Sequence, residues 1–220
     1  MTRRLVVVRP DPGASETVVR ARTLGIDVVA MPLFVVAPVE WQVPAAERYD
    51  ALLLTSANAV RHAGPGLAEL SGLPVLAVGS ATAEAARAAG FTIKQTGAGG
   101  IADLLAATPA DARLLHLAGR DRVEFTAHQV IETVIVYESR AVSGPDLSIL
   151  AAAVVALHSP RAARQVASFT LDRSAITLVA LSPAVAFAAG AGWASVATAP
   201  VPTDDALLAL AAELCLEADE

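Results

Sequence analysis

Arg9, Thr55, Ser56, Ser80, Thr82, Ser159 and Ser182 share one setting in this 220-residue chain: each stands at or near the point where a short apolar run gives way to a helical pattern. A serine or threonine there sets a hydroxyl beside the free N–H groups that open a helix, and an arginine adds a planar, permanently charged fork. Together they suit a ligand that carries carboxylates or phosphates. Ordinary N-capping accounts for any single serine without a ligand, and it is the repetition that favours binding. Arg120, within Arg120-Asp121-Arg122, follows another strand end and reads either as a partner for ligand carboxylates or as part of a solvated charged loop. Tyr137, one of only two tyrosines, lies in the extended run Thr133–Val142. Its phenol could donate a proton or orient a leaving hydroxyl, or its amphipathic ring could simply fill a domain junction.

The elements that must position these residues occur twice. Leu5–Val8 is a strand ended by Arg9-Pro10, followed by a helix that Ser15 is expected to cap and Gly25 to stop. Asp27–Pro38 is then an extended run broken at Pro32. Ala51–Leu54 runs into Thr55-Ser56, and Val75–Val78 into Gly79-Ser80-Ala81-Thr82. A third strand, Thr92–Gln95, meets a glycine-rich turn before the helix Ile101–Ala107. Val154–Leu157 into His158-Ser159-Pro160 and Leu178–Leu181 into Ser182-Pro183 repeat the design, with proline at the first helical position. Ser56 to Ser80 is 24 residues and Ser159 to Ser182 is 23, and a further 23 reaches Asp103 and Asp205 respectively, so the units recur at an offset of 103 or 102. Leu114–Ser139 matches the opening segment as strand, loop (Ala118–Arg122), short helix and extended run.

Continuous apolar strands alternating with helices indicate parallel sheets covered on both faces. The expected fold is α/β: two similar, doubly wound parallel-sheet domains, an internal duplication, joined by a two-stranded β-ladder hinge. Residues 1–33 with 142–220 form one discontinuous domain, 42–132 the inserted one, and 34–41 and 133–141 the hinge strands. Ligands in open α/β sheets bind beyond the carboxyl ends of the strands, and in this arrangement Tyr137 faces the cleft between the halves.

Composition narrows the function. A hydrophobic fraction of 55% with only 4% aromatic residues implies an Ala/Val/Leu core. No apolar run reaches the length of a membrane span, and Leu5–Val8 is read as a first strand and not as a signal peptide. A net charge of −6 disfavours nucleic acid and anionic membrane as partners and leaves a small-molecule substrate. The basic residues are Lys94 and fifteen arginines, so Schiff-base chemistry has one candidate and bidentate carboxylate binding many, while genome composition alone accounts for the arginines equally well. The single Cys215 can form no internal disulfide; in an Ala/Leu helix it is expected to be buried, which fits a cytoplasmic protein. His62, His116, His128 and His158 are dispersed, so no metal is expected, and His116 reads as a mid-strand core residue. Gly97-Ala98-Gly99-Gly100-Ile101-Ala102 fits the dinucleotide pattern, with Asp121 about 20 residues on. This is the case for an NAD-dependent oxidoreductase, but the pattern sits on the third strand–helix unit of its half and reads better as a flexible turn.

The ordered set of motifs resembles the uroporphyrinogen-III synthase family. It comprises Val7-Val8-Arg9-Pro10, Leu54-Thr55-Ser56-Ala57-Asn58-Ala59-Val60, Ala77-Val78-Gly79-Ser80-Ala81-Thr82-Ala83, Val136-Tyr137-Glu138, His158-Ser159-Pro160 and Pro202-Thr203-Asp204-Asp205-Ala206-Leu207. The resemblance implies two α/β domains on a two-stranded ladder with the substrate between them, and a cofactor-independent enzyme, expected as a monomer. Its substrate would be hydroxymethylbilane, a linear tetrapyrrole with eight carboxylates. Hydroxide is lost from ring A, and ring D attacks, passes through a spiro intermediate and closes inverted. By position the resemblance implies Thr55-Ser56, Ser80, Thr82 and Ser159 as substrate contacts, with Tyr137 as donor to the departing oxygen. Where the family commonly has Gly-Pro followed by hydroxyl residues, this chain has Ser182-Pro183-Ala184-Val185, which shifts carboxylate contacts to Ser182 and backbone N–H groups. It also leaves open a catalytically inactive two-lobed tetrapyrrole-binding homologue.

Overall fold

The computed structural model describes residues 3–97 and 100–216. In chain order the strands are β1 (Leu5–Val7), β2 (Val28–Ala30), β3 (Phe34–Pro38), β4 (Ala51–Leu54), β5 (Val75–Val78), β6 (Ile93–Gly97), β7 (Arg113–Gly119), β8 (Val130–Ala141), β9 (Val154–Leu157), β10 (Thr177–Ala180) and β11 (Ser195–Thr198). The α-helices are α1 (Gly13–Thr23), α2 (Ala57–His62), α3 (Ser80–Ala88), α4 (Ile101–Ala106), α5 (Pro160–Ser168), α6 (Pro183–Ala189) and α7 (Asp204–Leu216). The chain divides into two compact units, Met1–Val35 with Ala141–Glu220 and Val36–Arg140.

The first unit holds a five-stranded sheet in the order β11-β10-β9-β1-β2, every neighbouring pair parallel. Its central strands are short, apolar and fully buried because both faces are covered. Alternation along β1 sends Leu5 and Val7 to the side of α1 and α7, where they meet Ala14, Val18, Leu207 and Ala211. Val6 and Val8 point the other way, toward Ala163 and Val166 of α5 and Val185 of α6. Burying each such side chain contributes about 1.5–3 kcal/mol, so β1 alone anchors both layers.

The second unit holds a six-stranded sheet in the order β3-β8-β7-β4-β5-β6. From β8 to β6 it is parallel and repeats the order of the first sheet, with β8, β7, β4, β5 and β6 standing where β2, β1, β9, β10 and β11 stand. Leu52, Leu54, Val75 and Ala77 pack with Ala59 of α2 and Ala83 and Ala86 of α3. Ala51, Leu53 and Leu76 face Leu104 and Leu105 of α4.

Two local expectations are corrected. No short helix follows β7: residues 120–129 run as a loop, and Phe125 and Ala127 cover the sheet face that α1 covers in the first unit. Residues 120–129 must both leave β7 and enter β8, which leaves no length for a helix, whereas residues 8–27 make room for one. Nor does Ser15 cap α1. The helix starts at Gly13 after Pro12, with Ala14 N–H bonding Pro10 O at 3.1 Å, and the Ser15 hydroxyl bonds Asp11 at 2.6 Å instead. Gly25 does end that helix, with φ of 76°. Cys215 is buried in α7, and burial pushes its thiol up to about 11. Among the described residues no helix is long and apolar enough to cross a membrane.

Candidate functional site

Each sheet reverses its strand order once, between β1 and β9 in the first unit and between β4 and β7 in the second. These are the switch points where the connections diverge and leave a crevice at the carboxyl ends. Arg9 and His158-Ser159 follow β1 and β9; Thr55-Ser56 and Arg120 follow β4 and β7.

At the first of these edges, Ser159 caps α5, its hydroxyl accepting from Ala162 N–H at 3.1 Å. Ser182 occupies the same place before α6 but makes no capping bond, so its hydroxyl is available to other partners. Arg9 lies over the start of α1, so close that a Cβ at Gly13 would stand 2.4 Å from its Nε. The Arg9 guanidinium bonds Thr17 and Asp204, both at 3.4 Å.

Asp204 is a hub that sequence reasoning missed. Besides Arg9 it accepts from Arg20 at 2.5 Å, from the Thr17 hydroxyl at 3.0 Å and from His158 Nε2 at 2.7 Å. A carboxylate only accepts, so the His158 proton resides on Nε2. Burial holds the His158 pKa below its ordinary value despite this partner. Asp204 titrates below the usual carboxylate range: desolvation opposes this, and the hydrogen bonds from His158, Thr17 and Arg20 outweigh it. Its place in the first turn of α7 adds the helix dipole. The five residues come from the ends of β1 and β9 and from α1 and α7; the available signals were Asp204-Asp205 opening an otherwise apolar helix and the motifs that hold Arg9, His158 and Asp204.

At the second edge, Ser56 caps α2 through Asn58 N–H at 3.2 Å. The Thr55 hydroxyl is 3.1 Å from His116 Nε2, and the Thr133 hydroxyl is 3.4 Å from Nδ1. His116 is 1% exposed, as its mid-strand position implied, and burial lowers its pKa to about 4. Gly79, with φ of 83°, and not Ser80, is the residue before α3; Ser80 opens that helix, and Thr82 is buried in it. Gly97 ends β6 and Gly100 precedes α4, while Ala98 and Gly99 of the glycine-rich motif lie outside the described residues.

Tyr137 sits on β8 opposite Gly119 of β7, at a register shift between Ala118 and Gly119. Its ring lies against Gly119 so closely that a Cβ there would be 2.6 Å from Cζ and 2.9 Å from the hydroxyl oxygen. Arg120 N–H donates to Tyr137 O at 2.9 Å. The Arg120 side chain is already engaged, Nε bonding Glu138 at 2.6 Å, and the other Glu138 oxygen takes Arg140. Both bonds lower the Glu138 pKa, that from Arg140 most. The Tyr137 ring is also 6.3 Å from that of His62, centroid to centroid. His62 in turn borders an open pocket of about 730 Å³, whose walls include Pro38, Glu40, Trp41 and Pro65. Among the described residues no cluster of His, Cys, Asp or Glu could hold a metal ion.

Comparison with known proteins agrees with this architecture. A family model described as HEM4, uroporphyrinogen-III synthase HemD, matches residues 15–209. A uroporphyrinogen-III synthetase from Helicobacter pylori 26695 superposes with a TM-score of 0.68 at 19% identity, covering 96% of this chain and 99% of that one. A triply substituted uroporphyrinogen III synthase from the extremely thermophilic bacterium Thermus thermophilus gives 0.52 at 17% identity, covering 97% and 98%. At such identities these structures speak for the fold. No curated protein sequence matches.

Proposed function

The chain belongs to the uroporphyrinogen-III synthase family, and we propose that it converts hydroxymethylbilane to uroporphyrinogen III and water, with inversion of ring D. The family match across residues 15–209 carries this reading, and two sheets of one strand order, each ending in hydroxyl-bearing helix starts, support it. Neither an NAD-dependent oxidoreductase nor an inactive homologue is favoured.

The reaction needs a flexible polyanion held with its ends together and a hydroxide helped to leave. Arg9, Ser159 and Ser182 of the first unit, and Thr55, Ser56, Ser80, Thr82 and Arg120 of the second, would take the carboxylates, aided by the N–H groups of the helix starts. Tyr137 would donate toward the departing hydroxyl oxygen. A phenol is a weak acid, so its contribution is largely to orient that oxygen, and the proton released on ring closure restores it. The domain division belongs to this proposal: 1–33 with 142–220, then 42–132, with 34–41 and 133–141 as linking strands. It is supported by the two compact units and by β3 and β8, adjacent strands that each run across a unit boundary. We read the enzyme as a cofactor-independent cytoplasmic monomer, for which the single buried thiol and acidic charge speak. Purified protein supplied with freshly generated hydroxymethylbilane should yield the type III isomer on oxidation and separation; only type I, as in unassisted closure, would overturn the assignment.

A further inference from the structure

We propose that Gly119 and Glu138 are positioning residues that fix where the Tyr137 hydroxyl stands. The inference rests on the role given to Tyr137 above.

Two contacts hold this one side chain and its backbone. The register shift between Ala118 and Gly119 sets Gly119 directly against Tyr137. There the missing Cβ leaves room for the ring: an added carbon would approach Cζ, Cε2 and the hydroxyl oxygen at 2.6, 2.7 and 2.9 Å. A phenol ring is rigid and turns only about two torsions, so a methyl group at 119 must swing the hydroxyl as a whole. The main chain is pinned at the same point by Arg120 N–H on Tyr137 O, 2.9 Å.

Next along the strand stands Glu138. Its side chain is 16% exposed, although the two arginines that grip it are 59% and 62% exposed. Arg120 comes from the end of β7 and Arg140 from β8 itself, so Glu138 ties the two strands together just beyond the bulge. Ring seat and strand clamp thus converge on one hydroxyl, while Gly119 itself offers no side-chain group to a substrate. Displacing a reacting group by about 1 Å can lower turnover by as much as a hundredfold.

The test measures kcat and KM for hydroxymethylbilane, together with Tm, for Gly119→Ala and Glu138→Gln, each alone and in the Tyr137→Phe background. Gly119→Ala should lower kcat about tenfold or more with KM little changed, and Glu138→Gln should lower kcat about threefold, with any rise in KM from the loosened Arg120 the same in both Tyr137 backgrounds. Neither should lower kcat further once the hydroxyl is gone, although Gly119→Ala should lower Tm in both backgrounds, because phenylalanine keeps the crowded ring carbons. Equal losses of kcat in both backgrounds, or wild-type kcat in both single variants, would overturn the inference while leaving Tyr137 in its role. Should Gly119→Ala not fold, Glu138→Gln decides by the same comparison. Wild-type turnover in Tyr137→Phe would remove the role of Tyr137 and this inference with it.

Discussion

His158 Nε2 donates to Asp204 Oδ1 at 2.7 Å, joining the carboxyl end of β9 to the first turn of α7 across 46 positions of sequence. The same carboxylate holds Thr17 and Arg20 of α1 and touches Arg9. The loop that carries Arg9 and the turn that carries Ser159 are therefore tied to one charge.

Asp204→Asn should cost about 2–4 kcal/mol, because it removes the charge and one of the two mostly buried acceptor oxygens shared by two arginines and a histidine with a buried side chain. Urea unfolding would measure it. In a double-mutant cycle with Arg20→Ala the losses should fall short of the sum, since the two share one interaction. Strict additivity would mean that the 2.5 Å contact contributes nothing.

The fold class was legible because the central strands are short, largely apolar and mostly followed by Ser, Thr or Pro, and because those ends recur at regular spacing. Ser56 and Ser159 cap their helices as their positions imply. The Asp204 cluster was not legible: its other members lie 46 to 195 positions from Asp204, and no periodicity connects them to it. Nor was the Gly119–Tyr137 contact, which depends on a one-residue register shift that leaves no mark in composition. Ser15 misled because α1 starts two residues earlier, at Gly13, so Ser15 lies inside the first turn, where its hydroxyl donates to Asp11.

His116 makes stability depend on pH in a stated direction. Its pKa falls from 6.5 to about 4 on folding, so between those values protons bind the unfolded chain and not the folded one. The stabilisation is complete above pH 6.5 and is lost as pH falls toward 4, about 3 kcal/mol in all. Burial depresses the His158 pKa too, and that residue acts in the same direction. Urea midpoints at pH 7 and pH 4.5 should differ less in His116→Gln than in the parent chain; an unchanged difference would count against the burial argument.

Cys215 should be nearly inert in the folded protein. With its pKa pushed up to about 11, about one thiol in a thousand is ionised at pH 8, and the sulfur is also covered by α7 packing. Thiol labelling at pH 8 should run at least about a hundredfold slower in buffer than in denaturing urea. Comparable rates would show that the carboxyl-terminal helix opens readily.

Ser159 and Ser182 occupy matching helix starts, yet only Ser159 spends its hydroxyl on a cap. Removing a capping hydroxyl costs about 1 kcal/mol, whereas one without a backbone partner costs under about 0.5 kcal/mol. Ser159→Ala should therefore lower Tm measurably, and Ser182→Ala should leave it nearly unchanged. Substrate affinity should show the opposite order, because the uncommitted hydroxyl can bond a carboxylate without giving up a helix N–H. We expect Ser182→Ala to raise KM for hydroxymethylbilane about tenfold to a hundredfold, the loss of one hydrogen bond to a charged group. Unchanged KM and unchanged Tm together would show that Ser182 serves neither purpose, and would move carboxylate binding at α6 to its backbone N–H groups alone.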